Sequence, residues 1–277
     1  MNVLVLGAEG QIGSALANRL QPEHVVLRWD VEIDERMDLR DSSCIESLTG
    51  AMEWADFVYF LAFDVGGSAY LAKHQHTTAY LSNNVRIMEN FCAAHEACVE
   101  APDFVFASTQ MSNMLYSSYG VLKRLGEFYT TALGGINVRF WNVYGNEFDP
   151  EKFHVVTDFV NAARSGQAIR MRTDGREQRQ MLHSEDSADA LVALMENRDR
   201  LDRSKYFDIT SFEWVTIREI GEFIAAVFEV ECIPGESTDD VQRDARNEPT
   251  DEIAKYWSPR LTLEEGIMKV IDAMGDT

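Results

Sequence analysis

The sequence has few basic residues, few prolines and few cysteines, and each shortage excludes a class of protein. Its 277 residues contain 25 lysines and arginines against 46 aspartates and glutamates, a formal net charge of −21. A polyanionic partner such as a nucleic acid or an anionic membrane requires a basic surface, so neither is expected. Six prolines and 45% hydrophobic residues exclude a disordered or collagen-like chain.

The four cysteines are Cys44, Cys92, Cys98 and Cys232. None belongs to a C-x-x-C pair and no histidine has a zinc-binding spacing, so we expect reduced thiols and no metal site. Long apolar runs are also missing, because the N-terminal run extends only from Val3 to Leu6. We therefore expect neither a secretory leader nor a membrane span, and predict a cytoplasmic protein.

The N-terminal apolar run is typical of a parallel strand that is buried on both faces. A glycine-rich turn follows it. Its glycines have the pattern G-x-x-G-x-x-G and are Gly7, Gly10 and Gly13. The first permits a tight turn, the second lets the backbone approach a pyrophosphate, and the third lets helix and strand pack closely. The helix that begins near Gln11 and Ile12 offers free N–H groups to the anion. The pattern predicts dinucleotide binding.

A second apolar strand, at residues 25–27, leads to Asp30. A carboxylate at the end of this strand suits the free 2′-hydroxyl of an adenosine ribose and repels a 2′-phosphate. NAD is therefore the expected cofactor, and Arg28 nearby leaves NADP as the alternative.

Strands and helices alternate along residues 1–146. Further strands are predicted at 57–61, 104–107 and 136–140, and helices at 80–97 and 119–133. The repeated β–α–β order predicts an α/β fold with a doubly wound parallel sheet of the Rossmann type. Residues 147–277 are less regular and are interpreted as a smaller, mixed α/β substrate-binding lobe. Within them, a strand near 206–209 is expected to return to the main sheet.

Tyr119 and Lys123 lie four residues apart in a predicted helix, so their side chains share one face, one turn apart. A lysine ammonium beside a phenol favours the phenolate, so we expect Tyr119 to take or give a proton near neutral pH. Thr109, at the end of the preceding strand, is the candidate hydroxyl donor to the reacting oxygen. The spacing alone is common in surface helices, but together with the glycine turn upstream and Ser108-Thr109 between them it predicts an acid/base site.

Together these motifs resemble the extended short-chain dehydrogenase/reductase family, and specifically its NAD-dependent nucleotide-sugar epimerases, dehydratases and reductases. The resemblance covers nearly the whole chain. Besides the glycine turn and Tyr119-x-x-x-Lys123, its carriers are Asp30, Asp38-Leu39, Leu61-Ala62, Asn84, Ser108-Thr109, Arg139, Asn142-Val143-Tyr144-Gly145, Arg179, Trp257-x-Pro259 and Leu263-Glu264-Glu265-Gly266.

The resemblance implies that Tyr119 is the acid/base, that Lys123 holds the nicotinamide ribose, and that a nucleotide-sugar is oxidised at one hydroxyl by NAD or NADP. The implied cofactor contacts are Gly7, Gly10, Gln11, Ile12, Gly13, Asp30, Asp38, Leu39, Leu61, Ala62, Tyr119 and Lys123. Asp38 would meet the adenine. The implied substrate contacts are Gly67, Thr109, Asn142, His154 and Arg179. Arg179 would meet the phosphates, because a guanidinium fits a phosphate in a bidentate manner; a solvated surface charge is the other interpretation.

A homodimer is a further implication of the resemblance. The helices at 80–97 and 119–133 carry more aromatic and methionine side chains than one buried face needs. These residues either fill the core or form an interface with a second copy.

Departures from the family limit what can be carried over. Gln110 and Met111 follow Thr109 where 4,6-dehydratase relatives carry an Asp-Glu pair, which argues against water elimination. The same positions lack the cysteine of fucose-synthase-like double epimerases, although the segments at 65–67 and 154–156 are similar to that branch. Tyr119 lies only ten positions after Thr109. This spacing is shorter than usual in the family, so we expect a more open pocket.

We therefore predict an NAD-dependent nucleotide-sugar epimerase that oxidises a sugar hydroxyl transiently, at C4. One alternative is a nucleotide 4-keto-sugar reductase that uses NAD(P)H, with epimerisation assisted by His154. Another is a non-catalytic protein that senses dinucleotides, which the short segment between Thr109 and Tyr119 favours and the presence of both Tyr119 and Lys123 disfavours.

Overall fold

The computed structural model describes residues 1–147, 149–239, 242 and 247–275. Its strands are β1 (Asn2–Leu6), β2 (Val25–Trp29), β3 (Phe57–Phe60), β4 (Asp103–Thr109), β5 (Ile136–Phe140), β6 (Asn142–Tyr144), β7 (Ile169–Arg170), β8 (Gln178–His183), β9 (Tyr206–Ile209), β10 (Trp214–Thr216) and β11 (Cys232–Ile233). Its helices are α1 (Gln11–Leu20), α2 (Ile45–Trp54), α3 (Ser68–His74), α4 (Thr78–Ala97), α5 (Ser118–Ala132), α6 (Val155–Arg164), α7 (Ser184–Glu196), α8 (Ile217–Phe228) and α9 (Leu263–Gly275).

The central sheet has six strands in the order β2-β1-β3-β4-β5-β9, and every pair is parallel. This confirms the predicted doubly wound α/β fold. The chain runs outward from β1 to β2 and then crosses back to β3 on the other side of β1. At such a reversal, the loops that leave the carboxyl ends of the strands separate and open a crevice for a ligand.

Both faces of the central sheet are covered, which explains the uninterrupted apolar runs of its strands. Val3 and Val5 pack on one side in a core cluster that includes Leu16 of α1 and Leu191 of α7. Leu4 and its neighbours pack on the other side with side chains of α2, α4 and α5. The alternation along β1 therefore distributes successive side chains between two separate cores.

Residues 147–277, the proposed substrate lobe, contribute β9 to the central sheet, and their other strands form two smaller sheets, one of them together with β6. β10, β8 and β6 make a three-stranded sheet, and β7 pairs with β11 in parallel. A third core cluster packs the apolar faces of α6, α8 and α9 together. Positions 148, 240, 241, 243–246, 276 and 277 of this lobe lie outside the described residues.

All four cysteines carry free thiols. Within the described ranges, no helix combines the length and the apolar character that crossing a membrane requires.

Candidate active site

The glycine turn between β1 and α1 has the geometry that its sequence predicts. Gly7 has a φ of +84°, and a Cβ atom there would lie 2.7 Å from the backbone nitrogen of Ala62, just after β3. A Cβ atom on Gly13 would lie 2.0 Å from the carbonyl oxygen of Gly7. Real side chains cannot occupy either position without moving backbone, so both glycines are required for the close approach of β1, β3 and α1.

The start of α1 fits an anionic cofactor group. Gly10 caps the helix without a side-chain hydrogen bond, and the first turn contains no acidic residue. Among the described residues, the buried Nε2 atom of Gln11 has no hydrogen-bond partner. Uncapped helical N–H groups and an unsatisfied amide donor are what a pyrophosphate would satisfy, so these residues fit the dinucleotide that the sequence predicts.

Asp30 follows β2 directly and faces the glycine turn. One carboxylate oxygen accepts a hydrogen bond from the backbone N–H of Glu9 at 2.9 Å, and the other accepts from Glu32 at 3.0 Å. The guanidinium of Arg28 is held by the carboxylate of Glu9 at 2.7 Å and by the carbonyl oxygen of Ala8 at 3.1 Å. Arg28, the residue on which the NADP alternative depends, is therefore already paired with the carboxylate of Glu9.

Asp38 and Leu39 occupy the loop after β2. The indole nitrogen of Trp29 donates to the carbonyl oxygen of Met37 at 2.8 Å, which fixes this loop beside the end of β2. The carboxylate of Asp38 accepts two hydrogen bonds from the Arg40 guanidinium, at 2.7 and 2.8 Å, and these lower the pKa of Asp38. Leu39 is buried in the core. In this structure the predicted adenine contact Asp38 is thus engaged by Arg40.

Thr109 and Tyr119 are brought together although only ten positions separate them. β4 ends at Thr109, a short 3-10 helix (Gln110–Asn113) follows, and α5 begins at Ser118. The side chain of Thr109 lies close enough to the phenol of Tyr119 to lower its pKa. Close packing of the 3-10 helix against α5 requires Gly120, because a Cβ atom there would lie 2.2 Å from the carbonyl oxygen of Met111.

Lys123 lies one turn after Tyr119 and is only 3% exposed. Its Nζ atom donates to the carbonyl oxygen of Ala107 at 2.6 Å and lies 3.7 Å from the ring centroid of Phe63. Burial lowers the pKa of Lys123 to about 7, against the opposing charge of Glu127. The Lys123 ammonium therefore sits in a largely desolvated environment.

Burial also determines the direction of the pKa shift of Tyr119. This direction is opposite to the one expected from the sequence. Burial raises the pKa of the Tyr119 phenol to about 12, and the nearby Thr109 hydroxyl offsets only part of this increase in pKa. The expected depression by the lysine is absent because the Lys123 ammonium points to Ala107 and Phe63 instead. A catalytic phenolate would require positive charge to come closer than it does in this structure.

A fully buried carboxylate, Glu127, lies one helical turn beyond Lys123. It accepts two hydrogen bonds from the Arg139 guanidinium, at 2.7 and 2.9 Å, and one each from Arg124 and Ser108 at 2.7 Å. Burial raises the pKa of Glu127, but the bonds from Arg139 and the other donors outweigh it, so the net change is a decrease. This network joins β4, β5 and α5 next to Lys123, the residue one turn after Tyr119.

Two of the predicted substrate residues, Asn142 and Arg179, lie in the three-stranded sheet. The Arg179 side chain, 11% exposed, donates to Asp239 and to the carbonyl oxygen of Gln178. Asn142 pairs in register with Met181, so Asn142 and Arg179 lie on the same face of the three-stranded sheet. The Oδ1 atom of Asn142 is buried and has no hydrogen-bond partner among the described residues.

Gly67 connects the loop after β3 to the start of α6. Its N–H donates to the carbonyl oxygen of Lys152 at 2.9 Å. A Cβ atom at this position would lie 2.1 Å from the carbonyl oxygen of Phe153 and 3.2 Å from the Cα atom of His154. Gly67 is therefore needed for the contact between this loop and residues 152–154. The contact brings His154 to the carboxyl edge of the central sheet.

Two residues near the site were missed from the sequence. One is Phe63, which covers the ammonium of Lys123. The other is Glu147, whose Oε1 atom lies 2.5 Å from Nδ1 of His154. The sequence did contain a signal for Glu147. It lies a few positions before His154, which precedes a predicted helix, and carboxylates are favoured at helix N-termini.

A parallel sheet with a glycine turn, an uncapped helix start and a Tyr–Lys pair at its carboxyl edge defines a dinucleotide-dependent enzyme acting on a hydroxyl or keto group. The chain belongs to the NAD dependent epimerase/dehydratase family, whose match covers residues 3–210.

The similarity to individual proteins extends over the whole chain but is low in sequence. GDP-L-fucose synthase 1 of Arabidopsis thaliana is 25% identical over 98% of this chain and 92% of its own length. An epimerase from Methanothermobacter thermautotrophicus has a TM-score of 0.86 at 20% identity, over 99% of this chain and 92% of that one. The NAD complex of UDP-glucose 4-epimerase from Thermus thermophilus has a TM-score of 0.75 at 20% identity, over 98% of both chains. These structures share the fold.

Proposed function

We propose that the chain is an NAD-dependent nucleotide-sugar epimerase that transiently oxidises a sugar hydroxyl, at C4. The observation that carries the proposal is the placement of Thr109, at the end of β4, beside Tyr119, which lies one turn from Lys123 in α5 and at the same sheet edge as the glycine turn. The names of similar proteins, which include a UDP-glucose 4-epimerase with NAD, support this reaction class.

NAD, when bound, supplies a reversible hydride acceptor, and the residues of the chain hold and move the proton. Thr109 orients the sugar hydroxyl, and Tyr119 removes its proton and later returns it. For Tyr119 to act as a base, its raised pKa must fall. Lys123 can supply the required positive charge by leaving the carbonyl oxygen of Ala107 and turning towards the phenol and the cofactor ribose.

A panel assay tests this proposal. The protein is incubated with UDP- and GDP-linked hexoses and catalytic NAD, and the products are followed by proton NMR. We expect an epimer of one sugar nucleotide with no net change in NADH absorbance. Stoichiometric consumption of reduced cofactor with a keto-sugar, and no epimerisation of the parent sugars, would instead establish a reductase.

The reductase, with accompanying epimerisation, is the second candidate function. It is favoured by the His154–Glu147 pair, since a carboxylate-bound imidazole at the substrate side is suited to proton transfer, and a 4-epimerase does not need this group. Similarity to a GDP-L-fucose synthase over almost the whole chain also favours it.

We expect NAD to bind at least about tenfold more tightly than NADP, because the Asp30 carboxylate would face the 2′-phosphate and Arg28 is paired with Glu9. Titration of each oxidised cofactor measures the ratio. Asp30→Asn should reduce it, whereas Glu35→Gln, on an exposed carboxylate of the same loop, should leave it unchanged. Tighter binding of NADP by the parent protein would contradict this role of Asp30.

Arg179→Ala should weaken nucleotide-sugar binding by about ten- to a hundredfold, because it removes a charge-assisted phosphate contact. NAD affinity should change little. Arg176→Ala is the matched control, since the Arg176 side chain is 81% exposed and pairs only with Asp174 in the described structure. Calorimetric titration with UDP-glucose and GDP-mannose measures both; equal losses of sugar nucleotide and NAD would indicate a folding defect instead.

We also propose a homodimer through α4 and α5. Val121, Leu125 and Phe128 repeat at helical spacing on α5 and remain 43%, 37% and 58% exposed. Analytical ultracentrifugation should give about twice the chain mass of 31.4 kDa, and Phe128→Asp should shift the protein towards the monomer. A monomeric parent protein at micromolar concentration would rule out this interface.

A further inference from the structure

The carboxylate of Glu147 is nearly buried, and both of its oxygens face the start of α6. Its side chain is 8% exposed. Oε1 lies 2.5 Å from Nδ1 of His154, and Oε2 accepts from the backbone N–H of His154 at 2.9 Å and from the Thr157 hydroxyl at 2.6 Å. These bonds lower the pKa of Glu147 against the effect of burial, so the carboxylate is ionised at neutral pH. The imidazole therefore has a charged acceptor fixed at one of its two nitrogens.

The other nitrogen, Nε2, is available. Within the part of the chain that the structure describes, His154 makes no further side-chain hydrogen bond, and its side chain is 37% exposed. The charged groups that face the imidazole are Glu147 and Asp158, the latter one turn further along α6. The Lys152 ammonium is directed to the ring of Tyr70, at 5.7 Å. Gly67 places His154 against the loop after β3, at the ligand edge of the sheet.

We propose that Glu147 is a positioning residue that selects one tautomer of His154, with hydrogen on Nδ1, so that Nε2 exchanges a proton with a nucleotide 4-ketohexose. The inference rests on the second candidate function. A neutral imidazole carries its hydrogen on either nitrogen, and a carboxylate acceptor at Nδ1 stabilises the form whose Nε2 lone pair is free.

The step requires no oxidant or reductant. Nε2 of His154 removes the proton from the carbon next to the keto group, and the electron pair of that C–H bond moves into the carbonyl to give an enolate. Return of a proton from the imidazolium to the same face restores the ketone with its original configuration. In deuterated water, the returned particle is a deuteron, so carbon-bound hydrogen is replaced by deuterium.

A purely structural interpretation exists, because Glu147 also caps α6 through the His154 N–H and Thr157. The two roles respond differently to substitution. Glu147→Gln keeps the size of the side chain, but its amide can either accept from Nδ1–H or donate to Nδ1, so it no longer selects a tautomer. Thr157→Val removes one cap contact at similar volume and leaves the Glu147–Nδ1 bond in place.

The experiment has two readouts on the full-length protein. Nitrogen-15 NMR of the imidazoles, with His154→Gln to assign the resonance among six histidines, reports the tautomer without any ligand. Mass spectrometry of UDP-4-keto-6-deoxy-D-glucose incubated in deuterated water, and of its GDP-linked analogue, reports exchange. We expect an Nδ1–H tautomer in the parent and a mixture in Glu147→Gln. Exchange should fall about 10- to 100-fold in Glu147→Gln and less than about threefold in Thr157→Val, within the range of general acid–base catalysis.

An Nε2–H tautomer in the parent protein overturns the proposal, as does an equal loss of exchange in Glu147→Gln and Thr157→Val, which would indicate a helix cap only. If the parent exchanges no deuterium into either keto-sugar, the second candidate function fails, and the catalytic part of the proposal fails with it. The NMR tautomer then still decides separately whether Glu147 orients His154.

Discussion

Tyr119→Phe should lower turnover by about two to four orders of magnitude, the largest effect on activity expected of any single substitution here. The change keeps the ring and its packing but removes the hydroxyl that lies beside Thr109, one turn before Lys123. Binding of NAD and of the sugar nucleotide should remain close to that of the parent. Steady-state kinetics, with the substrate identified by the panel assay, measures the loss.

Tyr129→Phe is the matched control for this experiment, since it removes a phenol further along α5 and should leave turnover unchanged. Near-parental turnover in Tyr119→Phe would transfer the acid/base role to another group, such as His154 or Tyr116. If the parent binds NAD but converts no sugar nucleotide or keto-sugar, a dinucleotide-sensing function becomes the better explanation.

Glu127→Ala should lower the free energy of unfolding by about 3–5 kcal/mol, because it leaves the partly buried Arg139 guanidinium without its carboxylate. Chemical denaturation measures the change. Glu185→Ala is the control: its ion pair with Lys269 is about half exposed on both sides and should contribute at most about 1 kcal/mol. A loss below about 1 kcal/mol in Glu127→Ala would mean that solvent or another acid replaces the buried pair.

The contribution of Glu127 also has a pH dependence. The net effect of its surroundings holds the pKa of Glu127 below its ordinary value. Stability from this group is therefore present above the unfolded-state pKa and is lost as the pH falls through the lower folded-state value. Denaturation of the parent and of Glu127→Ala should consequently converge at acidic pH.

The fold could be predicted from the sequence because its signals are local. Four apolar residues before a glycine triplet specify β1, the turn and α1, and the residues at 57–60 and 104–107 have the same uninterrupted apolar character. Helices predicted at 80–97 and 119–133 occur at Thr78–Ala97 and Ser118–Ala132. Each of these elements buries a pattern that can be recognised within about ten residues.

The electrostatics of the site could not be predicted in this way, because they depend on contacts between distant segments. Helical spacing places Tyr119 near Lys123 but cannot reveal that Ala107 and Phe63 hold the ammonium elsewhere. The partner of Arg179, Asp239, lies sixty positions away. Burial then decides the direction of the shift in Tyr119, since desolvation penalises a phenolate in any enclosed position.

The proposed contact between Lys123 and the cofactor ribose would couple cofactor binding to the uptake of a proton. With a pKa of about 7, a large share of molecules carries an uncharged amine at this position near neutral pH. Binding that requires the charged ammonium must then draw a proton from the buffer, and its strength will decline as the solution becomes more alkaline. If Lys123 holds the ribose, as proposed, the fraction of enzyme that carries cofactor will therefore depend on the acidity of the solution.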